Sequence, residues 1–442
     1  MSKKNWRRVS SSYFTVLALA TALLSNGFAQ TPKPAASVNA KSAAVREATA
    51  EVLQETSELR QLPVLRQVES GAQSRAEIEQ MLIRSLDEDS SPEELRAAET
   101  LLVKLGLVPN GFQMRPFIIS LLTEQVAGYY DPKTQRFYLA DWIDLDGQKP
   151  VISHELTHAL QDQHFNLRRF QKWPKGDSDA ELAAQSLVEG DATVAMTQYV
   201  LRNPLRALAM MRSMQMGGNP TEQIDKAPRA LRESLLFPYE KGMLWATQLY
   251  RKGGWKMVSQ AFTDLPKSTE QILHPEKYFA REQPVKVEIA DLAPLLGKGW
   301  RRTDYDVNGE WGYFLVLDVF LNAQDDSLKA TAGWGGDRYA LYEGANKGEV
   351  FVAQLTTWDT PEDAAEFFAA YTKRTNLRYG ASPEAGTPTQ EANASFRLRT
   401  NEGAVFVERR GARVAILEGV PAKADEHKLM NAVWGRAAAT AR

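Results

Sequence analysis

The sequence predicts an α+β protein in two parts: a mainly helical domain carrying a small sheet, followed by a C-terminal α+β module. Three observations support this. At 442 residues the chain exceeds one ordinary domain. Hydrophobic residues at 43% and charged residues at 24% are those of a globular chain, which excludes global disorder, a collagen-like repeat and a polytopic membrane protein. The texture also changes near residue 295, from helical segments to strands alternating with helices.

The first element is an address. Lys3, Lys4, Arg7 and Arg8 precede an apolar run from about Tyr13 to Leu24, and Gly27 and Ala29 supply the small residues of a cleavage site. This predicts a signal peptide over 1–29 and an exported protein, periplasmic or secreted; an uncleaved anchor is the weaker reading. Without the four basic residues of that segment the net charge moves from −2 to about −6, which gives no footprint for nucleic acid or an anionic membrane. Cysteine is absent, so a disulfide framework, Cys-ligated zinc and a thiol nucleophile are all excluded.

Residues 30–60 read as a Pro/Ala tether followed by a helix from Lys41 to about Leu62. Helices follow around Ser74–Leu86 and Ser91–Leu105. The second opens on Ser90-Ser91-Pro92-Glu93-Glu94, with proline in the first turn and acids on the dipole. A helix from Arg115 to Gln125 comes next, then Ala127–Leu139, two aromatic runs around Asp131-Pro132 that signal a hairpin. Pro150 opens a helix holding three of the five histidines. Helices dominate from Ser178 to Ala261, with breaks expected near Gly217-Gly218 and Pro238. In the module, helices are expected over Gly309–Ala323, from Thr360 and from Ala424. Strands are expected over Gly348–Trp358, Phe396–Arg399, Ala404–Glu408 and Arg413–Leu417. Gly333–Tyr339 reads as glycine-rich turn chemistry, and Met210, Met211, Met214 and Met216 as core packing or a loop.

The chemistry concentrates at His154-Glu155-Leu156-Thr157-His158. Residues four apart on a helix share a face, so His154 and His158 converge on one metal ion. Glu155, one step round, is placed to serve as general base toward a zinc-activated water. Zinc needs a third protein ligand, and three residues compete. His164 has the ten-residue spacing of another zinc pattern, but Gln161 stands where that pattern has a turn-making glycine. Glu189 lies in a mostly apolar helix, where a carboxylate needs a partner, and Gly190 beside it would allow close approach to the His154 helix. Glu181 is the fallback, near a helix start where acids serve the dipole.

With Gly128-Tyr-Tyr-Asp-Pro132, His154-Glu-Leu-Thr-His-Ala-Leu-Gln-Asp-Gln163 and Val188-Glu-Gly-Asp-Ala192, the chain resembles the gluzincin-type zinc metallopeptidases, and more closely a group of predicted exported bacterial peptidases. The resemblance covers about residues 55–285. It implies a zincin-like catalytic domain over 61–290, one Zn2+ held by His154, His158 and Glu189, and Glu155 as catalytic base. It also implies an edge strand within Gly128–Leu139 that pairs with extended peptide substrate. Thr193 stands where some families place a second acid, leaving Asp162 and Asp191 as candidates for orienting a ligand histidine. Candidate donors to the oxyanion are Tyr130, Tyr239 and His274. The string Ser268–Tyr278 recurs in that group without a role legible from its residues, and the module over 295–442 has no assigned role. The expected function is therefore hydrolysis of peptide bonds in a peptide or protein substrate. The rival is a zinc-bearing, non-proteolytic envelope protein whose C-terminal module binds a partner.

Overall fold

A computed structural model of the chain describes residues 38–435 except 143, 144, 146, 172, 210–223, 225 and 382–392. The expected signal peptide, most of the tether and the Met210–Met216 stretch lie outside the described residues. The fold is α+β, with a three-stranded and a six-stranded sheet among helices.

Helix α1 (Val38–Arg60) precedes strand β1 (Glu69–Gln73). Helices α2 (Arg75–Asp89) and α3 (Pro92–Leu105) both begin on capping boxes. Ser74 and Ser91 accept the N–H of Glu77 and Glu94, whose carboxylates return to the cap N–H groups. After α4 (Met114–Gln125), strands β2 (Gly128–Asp131) and β3 (Arg136–Ala140) form the expected hairpin. Its turn is closed by Asp131, which accepts from Lys133 N–H and the Thr134 hydroxyl. β1 pairs parallel with β3, giving the order β1-β3-β2 and leaving β2 at an edge. Glu-Ser-Gly-Ala-Gln carries no β-branched or aromatic residue, so β1 owes its existence to that pairing and was not foreseen.

Three long helices form the centre: α5 (Lys149–Phe165), α6 (Ser178–Leu201) and α7 (Arg229–Ala261). From Pro150 to Asp162 every residue of α5 is buried, and α6 is nearly as enclosed up to Met196, so over these spans both run through the interior. The expected break at Pro238 does not occur. α7 leaves helical geometry only at Gly253 and Gly254. Burial of Leu235, Phe237, Tyr239 and Trp245 outweighs a proline cost of about 3 kcal/mol.

Short helices α8 (Thr269–Leu273), α9 (Pro275–Ala280) and α10 (Ala293–Leu296) lead into the second sheet. Its strands are β4 (Arg301–Asp306), β5 (Trp334–Glu343), β6 (Val350–Trp358), β7 (Asn393–Thr400), β8 (Gly403–Arg410) and β9 (Arg413–Val420). They run antiparallel in the order β4-β5-β6-β9-β8-β7. Helices α11 (Gly309–Leu321), α12 (Gln324–Thr331), α13 (Pro361–Tyr379) and α14 (Glu426–Trp434) complete the module. Side chains alternate between two cores: Val352, Val414 and Ile416 join Trp311 and Phe367, while Phe351, Ala353, Ala415 and Leu417 join Leu429 and Val433. Both faces are covered, so these strands read as continuous apolar runs.

The turn expected over Gly333–Tyr339 is instead the start of β5. Its glycines serve a close crossing: a Cβ on Gly336 would stand 2.2 Å from Val285 O, and Val285 N–H donates to Gly335 O.

One apolar cluster holds Leu101, Leu187 and Trp245 together with Trp311, Tyr339, Phe367 and Ile416, so the core runs across residue 290 without interruption. Polar contacts pin the same junction. Thr269 donates to Asp179 through N–H (3.1 Å) and hydroxyl (2.5 Å), Ser178 donates to Asp306, and His274 pairs with Glu310. The Ser268–Tyr278 string is thus a latch between α6 and the module. Among the described residues no helix is long and apolar enough to cross a membrane.

Candidate metal centre and its cleft

α5 presents His154 and His158 one turn apart, their rings 4.8 Å between centroids and nearly perpendicular. Their Nε2 atoms are 3.2 Å apart, and Glu189 Oε2 on α6 lies 3.2 Å from the first and 3.3 Å from the second. Ligand atoms about 2.0–2.1 Å from a tetrahedral zinc stand about 3.3–3.4 Å from one another. The three donor atoms therefore have the spacing of one face of a zinc tetrahedron, and two imidazoles with a carboxylate suit that ion. All three side chains are buried.

The three groups shift one another's protonation. Burial pulls His154 below the ordinary imidazole value. It opposes protonation of His158 too, yet the Glu189 carboxylate outweighs it and holds His158 up at about 9. Burial would raise Glu189, but His158 and His154 beside it bring the carboxyl down to about 2. In this structure the buried Glu189 carboxylate is balanced by the His158 imidazolium, a place that a bound metal ion would take over.

Glycine sets how α6 is held. A Cβ on Gly190 would lie 2.2 Å from Gly242 O, and one on Gly242 2.3 Å from Ser186 O, so α6 and α7 meet backbone to backbone. The close approach expected of Gly190 is real, but its partner is α7 rather than the His154 helix.

Glu155 is fully buried, and its Oε2 accepts the Tyr130 N–H of β2 at 2.9 Å. A cleft of about 390 Å³ is lined by Glu155, His158 and Glu189, by Tyr129–Thr134 of the hairpin, by Arg84 and Glu88 of α2, and by Phe170 and Val188. Ala140 N–H bonds Ala127 O, so alternation turns the backbone groups of Gly128 and Tyr130 toward the outer edge of β2, where Tyr130 meets Glu155 beside the cleft.

The remaining candidates separate cleanly. His164 Nε2 bonds Pro63 O at 2.8 Å and takes no part in the centre. Glu181 lies two turns before Glu189, about 12 Å along α6. His274 faces Glu310 of α11 and does not line the cleft. Tyr130 commits its hydroxyl to Asp162 Oδ2 at 2.9 Å, and Asp162 Oδ1 accepts Leu167 N–H, so Asp162 orients the hairpin and not a ligand histidine. Tyr239 alone of the oxyanion candidates faces the triad. Its ring stacks on His154 at 6.2 Å, and burial, then Glu189 and Glu155, push its hydroxyl well above the ordinary phenol range.

Gln161 is the residue sequence reasoning passed over. Its Oε1 meets His158 Nδ1 at 2.8 Å, and its Nε2 donates to Asp191 Oδ2 at 2.8 Å. Asp191 thus serves His158 through Gln161, while the Thr193 hydroxyl finds no hydrogen-bond partner among the described residues. The available signal was position: Gln161 follows His158 by three on a buried helix, hence on the same face.

A second, apolar cavity of about 120 Å³ among Leu101, Leu121, Leu182, Leu235 and Trp311 includes no residue of the triad. Among known proteins, a family model described as a domain of unknown function (DUF8575) matches residues 295–430, the module alone. No curated protein and no solved structure matches the chain.

Proposed function

We propose that the chain is an exported zinc-dependent metallopeptidase of gluzincin type, with His154, His158 and Glu189 as ligands and Glu155 as general base. The observation that carries the reading is the triangle of buried donor atoms at 3.2–3.3 Å beside a cleft that Glu155 also lines. Bound there, zinc would supply Lewis-acid chemistry, making a water acidic near neutrality and polarising a carbonyl.

The chain's own residues divide the rest of the work. Glu155, steadied by Tyr130 N–H, takes the proton lost by the attacking water and delivers it to the amine nitrogen as the C–N bond breaks. One water is consumed, and a carboxylate and an amine are formed. Tyr239 stays protonated with its hydroxyl bonded to Glu189, and would serve a carbonyl oxygen gaining negative charge by exchanging that acceptor once Glu189 is committed to the metal. Strand β2 borders the cleft at a sheet edge, where its Tyr130 carbonyl is the backbone group left to meet an extended peptide, the Tyr130 N–H being held by Glu155.

The test is Glu155→Gln in a peptide-library digest with zinc quantified in parallel. Zinc content is expected to stay at the wild-type level while cleavage falls at least about 10³-fold. Undiminished cleavage would remove Glu155 from the reaction and the assignment with it.

A further inference from the structure

His158 has two ring nitrogens, and the one facing away from the triad is held by a buried polar chain. Its Nδ1 lies 2.8 Å from Gln161 Oε1. The Gln161 amide donates to Val188 O at 3.0 Å and to Asp191 Oδ2 at 2.8 Å. With its NH2 group spent on two acceptors, Gln161 presents only oxygen to the ring. Nδ1 must then carry a proton, so Nε2 is the nitrogen whose lone pair would be given to a metal in the triad. Asp191 Oδ1 in turn receives Arg60 Nε at 2.5 Å. Arg60 also donates to Ser259 Oγ at 3.1 Å, and its guanidinium lies 4.5 Å from the centre of the Trp255 ring. Arg60, Gln161 and Asp191 are each fully buried.

Arg60 is the last residue of α1, which contributes no residue to the lining of the cleft. We propose that Arg60, Asp191 and Gln161 are positioning residues that fix His158 in its Nδ1–H tautomer, making the docked N-terminal helix a working part of the metal centre. The proposal rests on the reading of His154, His158 and Glu189 as a zinc site. Its physical basis is directional. A ring bearing its proton on Nε2 aims no lone pair at the ion, one free to turn loses entropy in aiming it, and partners of ligand histidines commonly govern affinity about 10–100-fold. The chain also gives a role to a buried Arg–Asp pair outside the cleft lining, where removing either member alone would strand a charge.

The experiment uses the full-length chain, zinc affinity by chelator competition, and NMR of 15N-labelled histidine rings, of which the chain has five. Zinc-loaded wild type is expected to show a slowly exchanging Nδ1 proton on His158. Gln161→Met should weaken zinc binding about 10–100-fold and abolish that slow proton, with the far-ultraviolet spectrum unchanged. Arg60→Met combined with Asp191→Asn removes both charges together and keeps an acceptor for Gln161. It should weaken zinc in the same direction and speed exchange of the same proton. Wild-type affinity in either variant, or a proton on Nε2 in the loaded wild type, would overturn the proposal while leaving the zinc site standing. If Gln161→Met does not fold, the wild-type ring spectrum alone decides. A wild-type chain that takes up no zinc would overturn the metal-centre reading itself.

Discussion

Tyr130 and Tyr239 were indistinguishable as sequence letters, yet their surroundings give them different work. Tyr130 spends its hydroxyl on Asp162 and its N–H on Glu155, whereas Tyr239 stacks on His154 and bonds Glu189 itself, with a hydroxyl that burial keeps protonated. Tyr239→Phe should therefore lower kcat about 10²-fold with zinc content intact, and Tyr130→Phe should leave kcat within a few-fold. Equal effects in steady-state assays would refute this division. At this scale the sequence was informative where chemistry is local: two histidines four apart share a helix face whatever the fold. Gln161 was legible in principle by the same geometry. Arg60 was not, because 131 residues separate it from Asp191 and nothing in either local sequence links them.

Elements were readable where their ends carry capping chemistry. Ser74 with Glu77 and Ser91 with Glu94 mark α2 and α3 without reference to the rest of the chain. β1 and β5 were hidden for the opposite reason: one is a run of small polar residues held by β3, the other a glycine-bearing strand crossed by Val285. The α6–α7 contact is likewise tertiary. Alanine for glycine in a helix interior normally gains about 1 kcal/mol. Here Gly190→Ala drives a Cβ to 2.2 Å from Gly242 O, so a net loss of about 3 kcal/mol is expected by urea unfolding. The helix that must shift carries Glu189, so zinc affinity should fall with stability. A stabilised variant would show that the two backbones do not meet.

One of the molecule's apolar clusters runs across the point near 290–295 where the sequence suggested a boundary and where the family match begins. That boundary was visible as a change in texture, but the cluster joining Leu187 to Trp311 and Phe367 depends on which faces meet. Expression of residues 38–294 alone should accordingly give an aggregating or dye-binding product, because its half of the core is left exposed. A folded, monomeric fragment that cleaves peptide would count against the shared core.

The same junction carries a pH signature. Asp337 caps the start of α11 through Asn308 and Gly309 N–H, yet burial raises it from 3.8 to about 6. A raised folded value means that its contribution is present below about pH 4 and lost as pH rises through 6. Replacing it by Asn should flatten the decline in unfolding free energy between pH 4 and 7.5 by roughly 2–3 kcal/mol. An identical slope in the variant would place the effect elsewhere.

The central claim is that one zinc ion is held by two histidines and a glutamate of a shared interior. Zinc-edge X-ray absorption on the loaded wild-type chain tests it most directly. One zinc per chain is expected, with two imidazole nitrogens and a carboxylate oxygen in its shell, and loss of that carboxylate ligand in Glu189→Ala. A chain that takes up no zinc, or a shell lacking paired imidazoles, would contradict it.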